Sequence, residues 1–280
     1  MRSRRFIQCD VFTSEPTRGN GLAVIVDGDG LSVQQMQRFA AWTQLAETTF
    51  LMPPTDPGAD YKVRIFTPAR EIPFAGHPTL GSCAAWLQSG GQPKNAGTVK
   101  QECAVGIVTI DTTGQMPAFA APPTRTTPMA EETRDKVVAT LGIDPGRIVR
   151  TAQLDNGPVW QAFELRSAED VLAVDATRVH HGNLQRIGLF GRHERGGDCD
   201  YETRMLSSTS MNNEDPVTGS LNAAIACWMY GDGQWREPVT VAQGTRLDRL
   251  GRVYMRRDAA NGTIWVGGQT CMLIEGTVTL

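Results

Sequence analysis

The chain has no run of 18 apolar residues and no apolar signal core in its first residues. We therefore expect a cytoplasmic protein without a membrane partner. An excess of basic residues is also missing, because 27 Lys and Arg stand against 30 Asp and Glu. A net charge of −3 gives nucleic acid and anionic membranes no electrostatic basis for binding. These absences favour a protein that acts on a small molecule.

The six cysteines are widely spaced and include no Cys-x-x-Cys pair, so we expect buried thiols rather than a zinc or redox site. The four histidines form no metal-binding pattern either. Neither a Gly-x-Gly-x-x-Gly motif after a strand nor a Walker loop occurs, which leaves nucleotide cofactors without support. The sequence therefore predicts no metal and no cofactor.

The sequence contains an internal repeat, whose two copies are residues 60–86 and 200–228. Each copy begins with Asp-Tyr, two further residues and Arg. Each then reaches a Pro and a glycine that opens a strongly apolar helix. These two glycines, Gly76 and Gly219, lie 143 positions apart. Helices that are apolar on all sides are buried, so each copy predicts the centre of its own core.

Many short strand patterns surround these two helices and predict an α+β fold. We expect two pseudo-symmetric halves, each a barrel-like, mostly antiparallel sheet around a central apolar helix, with the active site in the cleft between them. A proline-rich connection at 117–133 predicts halves at 1–118 and 119–280, and the last strands could instead complete the first half. A further helix is predicted from Ser32 to about Ala46.

The doubled helix start suggests a site for an anion. A helix N-terminus presents unpaired N–H groups and about half a positive charge, which suits a carboxylate. Gly76 and Gly219 would allow the ligand to approach the backbone closely. The alternative is that both segments simply cap their helices.

Four polar residues near these starts could add chemistry. His77 lies where the helix dipole disfavours its charged form. Glu47 lies where the first helix meets an apolar segment, and burial there would favour the protonated form that a general acid needs. Asp215 and Ser220 flank Gly219 and could contact a ligand. Structural alternatives are a capping role for Asp215 and Ser220, and a solvated Glu47.

Three separated motifs resemble the phenazine-biosynthesis PhzF-like proteins. They are "LAETTF" at 45–50, "FTPAREIPFAGHPTLGS" at 66–82 and "NEDPVTGS" at 213–220. The resemblance covers nearly the whole chain, including the "GNGLAV" turn and the C-terminal "VGGQTCMLIEGTVTL". It implies the diaminopimelate-epimerase fold, with two pseudo-symmetric halves and the site between them, and a homodimer.

The resemblance also implies an activity. In this family, trans-2,3-dihydro-3-hydroxyanthranilate is isomerised by moving a proton from C3 towards C1 without a cofactor. Carried over to this chain, Glu47 would take and return the proton. His77 and Asp215 would hold the amino and hydroxyl groups of the substrate and assist the transfer.

Substrate binding carries over in the same way. Ser220 would line the pocket, while Gly76 and Gly219 would present N–H groups to the substrate carboxylate. This chain departs from the family pattern at Ala46, where Ser is usual, and at Gly21, where Pro is usual. Because of these departures, a related unsaturated or cyclic amino acid is an alternative substrate.

Two other functions fit the pattern less well. A cofactor-independent racemase or epimerase of this fold needs an acid/base for each face of the α-carbon, normally a thiol at each helix start. This chain has Gly76-His77 and Gly219-Ser220 there, and Cys83 and Cys227 lie about two turns further on. A non-catalytic binding protein for small acids would keep the helix starts but would not need a buried Glu47.

Overall fold

A computed structural model describes residues 1–114, 116–210 and 212–280. Gln115, in the predicted first half, and Met211, in the second copy of the repeat, lie outside the described residues. The described chain contains eighteen strands: β1 (Ser3–Val11), β2 (Asn20–Ile25), β3 (Glu47–Met52), β4 (Tyr61–Phe66), β5 (Glu71–Ile72), β6 (Thr98–Cys103), β7 (Gly106–Asp111), β8 (Ala118–Ala120), β9 (Arg125–Thr127), β10 (Ile148–Asp155), β11 (Val159–Leu165), β12 (Ile187–Arg192), β13 (Tyr201–Leu206), β14 (Glu214–Asp215), β15 (Val239–Gln243), β16 (Gly251–Arg257), β17 (Ile264–Gly267) and β18 (Thr270–Thr279).

Five α-helices accompany the strands in the part of the chain that the structure describes, and the α+β class predicted from the sequence is confirmed. They are α1 (Val33–Thr43), α2 (Gly76–Gln88), α3 (Glu131–Leu141), α4 (Ala168–Ala173) and α5 (Gly219–Gly231). Three single 3₁₀ turns lie at Pro145–Arg147, Ala176–His180 and Thr245–Leu247. Among the described residues, none of the helices is both long enough and apolar enough to span a bilayer.

The first compact unit comprises Met1–Ala120 and Gly267–Leu280. Here β1 pairs antiparallel with β18 on one side and with β2 on the other. The parallel neighbour of β2 is β3, which pairs antiparallel with β4. β4 also pairs antiparallel with the short β5 and in parallel with β6. β6 then forms a hairpin with β7. The last strand, β18, thus belongs to the unit that the first strand opens.

The second compact unit, Ala121–Val266, has the same order of strands and directions. Its β10 pairs antiparallel with β9 and β11, and β11 pairs in parallel with β12. Next, β13 pairs antiparallel with β12 and β14, and in parallel with β15. An antiparallel pair of β15 and β16 ends the series. The repeat seen in the sequence is therefore a repeat of strand pairing.

Each unit buries one apolar helix against its strands. α2 packs on β1, β2 and β3, and α5 packs on β10 and β16. Glycine permits the close approach: a Cβ on Gly81 of α2 would lie 2.6 Å from Leu22 on β2. In the second unit the glycine is on the strand, since a Cβ on Gly188 would lie 2.6 Å from Leu221 of α5. Neither contact between helix and strand therefore has room for a residue larger than glycine at these two positions.

Two expectations about local structure need correction. The prediction that α1 continues to about Ala46 is wrong, because the helix ends at Thr43 and Gln44 adopts a left-handed φ of 56°. The chain therefore reverses before Glu47, which begins a strand rather than ending a helix. The "IGLFGR" of β12 is buried and interrupted by glycines, so it lacks the alternation that marks a strand.

The repeated arginine has a carboxylate partner in both units, but its burial differs. Arg64 donates two hydrogen bonds to Glu71, at 2.7 and 2.6 Å, near the surface. Arg204 donates two to Glu214, at 3.0 and 2.7 Å, and both side chains are at most 2% exposed. Arg204 also donates to the carbonyl oxygens of two residues at α4, Val171 and Val174. The buried pair thus ties strands β13 and β14 to a helix.

Removing the negative charge of each pair should destabilise the protein more at the buried pair than at the partly exposed one. We expect Glu214→Gln to lower the free energy of unfolding by about 3 kcal/mol, because it leaves a buried guanidinium without its counter-charge. Glu71→Gln, at the matching partly exposed pair, should cost about 1 kcal/mol or less. Urea denaturation of both variants measures the difference. Equal losses would contradict this account of the buried pair.

Candidate active site

Glu47 is held by the strand that it begins. Its backbone pairs with Leu22 on β2, and the next residue, Thr48, contacts the hydroxyl of Thr43 at 3.0 Å. This contact fixes the end of α1 beside the start of β3. The Glu47 side chain is 17% exposed, which is low for a carboxylate. The sequence therefore places a mostly buried acid at a rigid position.

His77 brings an imidazole to this carboxylate. It is the second residue of α2, and its Nε2 lies 3.4 Å from Oε2 of Glu47. Among the described residues, this nitrogen has no hydrogen bond of good geometry. On the other side of the ring, Nδ1 lies 3.4 Å from Nδ2 of Asn20. Two residues predicted from separate motifs thus lie side by side.

The imidazole of His77 is neutral at neutral pH. Burial lowers its pKa from 6.5 to about 3, and a hydrogen bond with the backbone of Gly21 opposes this only in part. The neutral form expected from the sequence is confirmed, although burial rather than the helix dipole is the main cause. Because the ring carries no charge, its contact with Glu47 is not an ion pair. It is a contact between a carboxyl group and a neutral imidazole.

The starts of α2 and α5 share an unusual feature. The N-cap residues are Ala75 and Thr218, and neither side chain accepts a hydrogen bond from its helix. Thr218 instead donates its hydroxyl proton to Oδ2 of Asp215, at 2.5 Å. The side chains of the two N-cap residues therefore do not cap these helices.

The other predicted site residues lie around the start of α5. Asp215 belongs to β14, where it pairs with Met205. Ser220 is the second residue of α5, and its carbonyl accepts a hydrogen bond from Nδ2 of Asn156 at 2.9 Å. The amide oxygen of Asn156 accepts in turn from Trp160 Nε1 at 3.1 Å. Ser220 is thus fixed through its backbone.

Two contacts of the site were not expected from the sequence. Asn20 contacts His77, and Asn156 contacts Ser220. The available signal was the Asn-Gly dipeptide that opens the similar segments at 20–29 and 156–167. Each Asn therefore meets the second residue of the central helix in its own unit. In the described part of the chain, no three side chains of the metal-ligating types come together.

The fold is that of the PhzF proteins. The structure of a PhzF-family protein of Bacillus anthracis aligns over all of both chains with a TM-score of 0.83, at 20% sequence identity. The family model for phenazine biosynthesis-like proteins matches residues 9–276. The chain therefore belongs to the PhzC-PhzF family, and the resemblance seen in the sequence is confirmed.

Two relatives align over 99% of both chains. "Antisense-enhancing sequence 1" of Schizosaccharomyces pombe is 35% identical. The trans-2,3-dihydro-3-hydroxyanthranilate isomerase of Pseudomonas aeruginosa is 30% identical. A Pseudomonas fluorescens relative, 28% identical, has the same name as the Pseudomonas aeruginosa protein, and a Mesorhizobium japonicum relative, 29% identical, is also named as an isomerase. The chain is an isomerase of this family.

The buried neutral His77 should make stability depend on pH. Its folded pKa lies below the unfolded value of about 6.5, so the unfolded chain binds the proton more readily and stability falls as pH drops below 6.5. At pH 5 this loss amounts to about 2 kcal/mol. Chemical denaturation at pH 7 and pH 5 should therefore show a smaller loss for His77→Gln than for the wild type.

His181→Gln is the matched control for this measurement, because His181 is exposed. It should lose as much stability between pH 7 and pH 5 as the wild type does. If His77→Gln also behaved like the wild type, the histidine would not be buried in its neutral form.

Proposed function

We propose that this isomerase moves a proton within a small, carboxylated, unsaturated cyclic amino acid, with Glu47 as the acid/base. The substrate class is that of trans-2,3-dihydro-3-hydroxyanthranilate, on which the Pseudomonas relative is named as acting. The observation that carries the proposal is the contact of 3.4 Å between Oε2 of Glu47 and Nε2 of the neutral His77.

This contact suits a single group that takes a proton and later returns it. Ionised Glu47 would remove the proton from a ring carbon and become a carboxylic acid. The neutral ring of His77 neither traps the carboxylate as an ion pair nor repels its protonated form. It can accept a hydrogen bond from the protonated acid until the proton returns at another carbon. Such a positioned acid/base typically contributes 10²–10⁴-fold to a rate.

We propose, from the family resemblance, that N–H groups of Gly76 and Gly219 contact the substrate carboxylate. In support, the side chain of neither N-cap residue, Ala75 or Thr218, caps its helix. We propose that Ser220 and Asp215 contact the polar groups of the substrate. Asp215, as a carboxylate, suits an amino group and could assist the transfer as an acid/base.

The cysteines argue against the racemase alternative. Cys83 is fully buried inside α2, and burial raises its pKa to about 12. Burial also raises the pKa of Cys227, which lies inside α5 and donates to the carbonyl of Pro122. Both thiols are therefore protonated and lie away from the helix starts. A racemase with a thiol pair would need one thiolate there to take the proton and one thiol to deliver it on the other face.

Two further parts of the proposal come from the family resemblance and from the sequence, respectively. We propose that the enzyme is a homodimer and that it acts in the cytoplasm. Sedimentation equilibrium of the purified chain tests the first, and fractionation of the source cells tests the second.

Deuterium exchange tests Glu47 directly. The wild type, incubated in D₂O with trans-2,3-dihydro-3-hydroxyanthranilate, should incorporate deuterium at a ring carbon. Glu47→Gln keeps the size of the side chain and removes its basicity, so exchange should fall by about 10³-fold. Proton NMR of the recovered ring follows the exchange.

Glu71→Gln is the control, because Glu71 is a partly exposed glutamate of the same unit and is paired with Arg64. It should exchange at the wild-type rate. Exchange that persists in Glu47→Gln would remove Glu47 from the mechanism. Exchange at an α-carbon with loss of chirality would show a racemase instead.

A further inference from the structure

The two units each bury one glutamine beside the start of the central helix. Gln101 lies on β6 and Gln243 on β15, and both are 0% exposed. A buried amide must have its hydrogen bonds satisfied by the protein. The partners that each glutamine finds show what it does.

In the first unit, the glutamine connects groups of the fold. The amide nitrogen of Gln101 donates to Oγ1 of Thr79 at 3.1 Å, and its oxygen accepts from the hydroxyl of Tyr61 at 2.8 Å. The hydroxyl of Thr79 donates to the carbonyl of Ala75 at 2.9 Å. The chain of hydrogen bonds therefore ends on the backbone.

In the second unit, the side-chain amide of Gln243 makes its hydrogen bonds to residues within 215–222. Its Oε1 accepts from the backbone N–H of Thr218 at 3.0 Å and from Nδ2 of Asn222 at 2.8 Å. Its Nε2 donates to the carbonyl of Asp215 at 3.2 Å and to Oγ1 of Thr218 at 3.0 Å. A backbone N–H can only donate, so this contact fixes which end of the amide is the oxygen.

The direction of the next hydrogen bond follows from this orientation. Because Nε2 of Gln243 donates to the hydroxyl of Thr218, that hydroxyl keeps its own proton for another acceptor. The acceptor is Oδ2 of Asp215, at 2.5 Å. A one-way relay therefore runs from a buried amide through a hydroxyl to a carboxylate that we place in the site.

The first unit shows that the fold does not require this relay. With the offset of 143 residues between the helix starts, Thr218 corresponds to Ala75 and Asp215 to Ile72. Neither of these side chains can continue a chain of hydrogen bonds. The glutamine is thus common to both units, whereas a hydroxyl at the N-cap and a carboxylate three residues before it occur only in the second.

We propose that Gln243 and Thr218 are positioning residues, which hold the carboxylate of Asp215 in the orientation that the reaction uses. This inference rests on the proposed role of Asp215 in catalysis. A hydrogen bond to a charged group is directional and stronger than a neutral one, so the relay restricts the rotation of the Asp215 side chain. The preorganised carboxylate then needs no reorientation during turnover.

Thr218→Val and Thr218→Ser test the relay. Valine has nearly the shape of threonine and lacks the hydroxyl, whereas serine keeps it. With trans-2,3-dihydro-3-hydroxyanthranilate as the probe, Thr218→Val should lower kcat by about tenfold and change KM by less than about threefold. Thr218→Ser should instead keep kcat within about threefold of the wild-type value. Equal kcat values for wild type and valine variant would overturn the proposal.

The two glutamines provide a matched pair. Gln243→Leu and Gln101→Leu each remove a fully buried amide and should lower the melting temperature to a similar extent. Only Gln243→Leu should also lower kcat, by about tenfold or more. If both variants lowered kcat equally, the glutamines would act through stability alone and the relay would be wrong.

Asp215→Asn separates a failure of the relay from a failure of the proposed function. If this variant keeps the wild-type kcat, Asp215 is not catalytic and the proposed role fails. If it is inactive while Thr218→Val turns over normally, the function stands and the relay is overturned.

If the wild type does not turn over trans-2,3-dihydro-3-hydroxyanthranilate, crystal structures of the two Thr218 variants test the relay instead. The Asp215 side chain should rotate in Thr218→Val and not in Thr218→Ser, and an unrotated side chain in both overturns the proposal.

Discussion

A helix that begins inside the protein must still satisfy the N–H groups of its first turn, and the rest of each unit depends on this constraint. Both central helices begin without a side-chain cap. A buried glutamine lies beside each start, Gln101 in one unit and Gln243 in the other. Gln243 accepts from the backbone N–H of Thr218, whereas Gln101 reaches α2 through the hydroxyl of Thr79. One buried amide thus ties the start of each apolar helix to its strands.

The two units have diverged around this shared frame. In the first, Glu47 meets an imidazole whose charge is suppressed by burial. In the second, the hydroxyl of the N-cap Thr218 links the common glutamine to the carboxylate of Asp215. The strand frame is the same in both units, while the polar side chains at the helix start differ. A duplicated fold can in this way hold two different polar environments without a change in strand order.

How far the sequence predicts this molecule depends on the range of each interaction. The motifs around His77 and Asp215 are local, and the family resemblance was readable from them. The repeated arginines were visible too, but Arg64 and Arg204 look alike in sequence and differ in burial. The glutamine that contacts Thr218 is 25 positions away. Its partners are set by the pairing of β15 with β13, which no local pattern encodes.

The pairing of β1 with β18 also affects how the chain is made. The second unit is continuous in sequence, whereas the first needs residues from both ends of the printed chain. A ribosome therefore delivers every strand of the second unit while β1 still lacks one neighbour. Closing a loop of this length costs entropy, and the exposed edge of β1 is open to wrong partners in the meantime. Vectorial synthesis thus leaves the unit that contains Glu47 and His77 to be completed last.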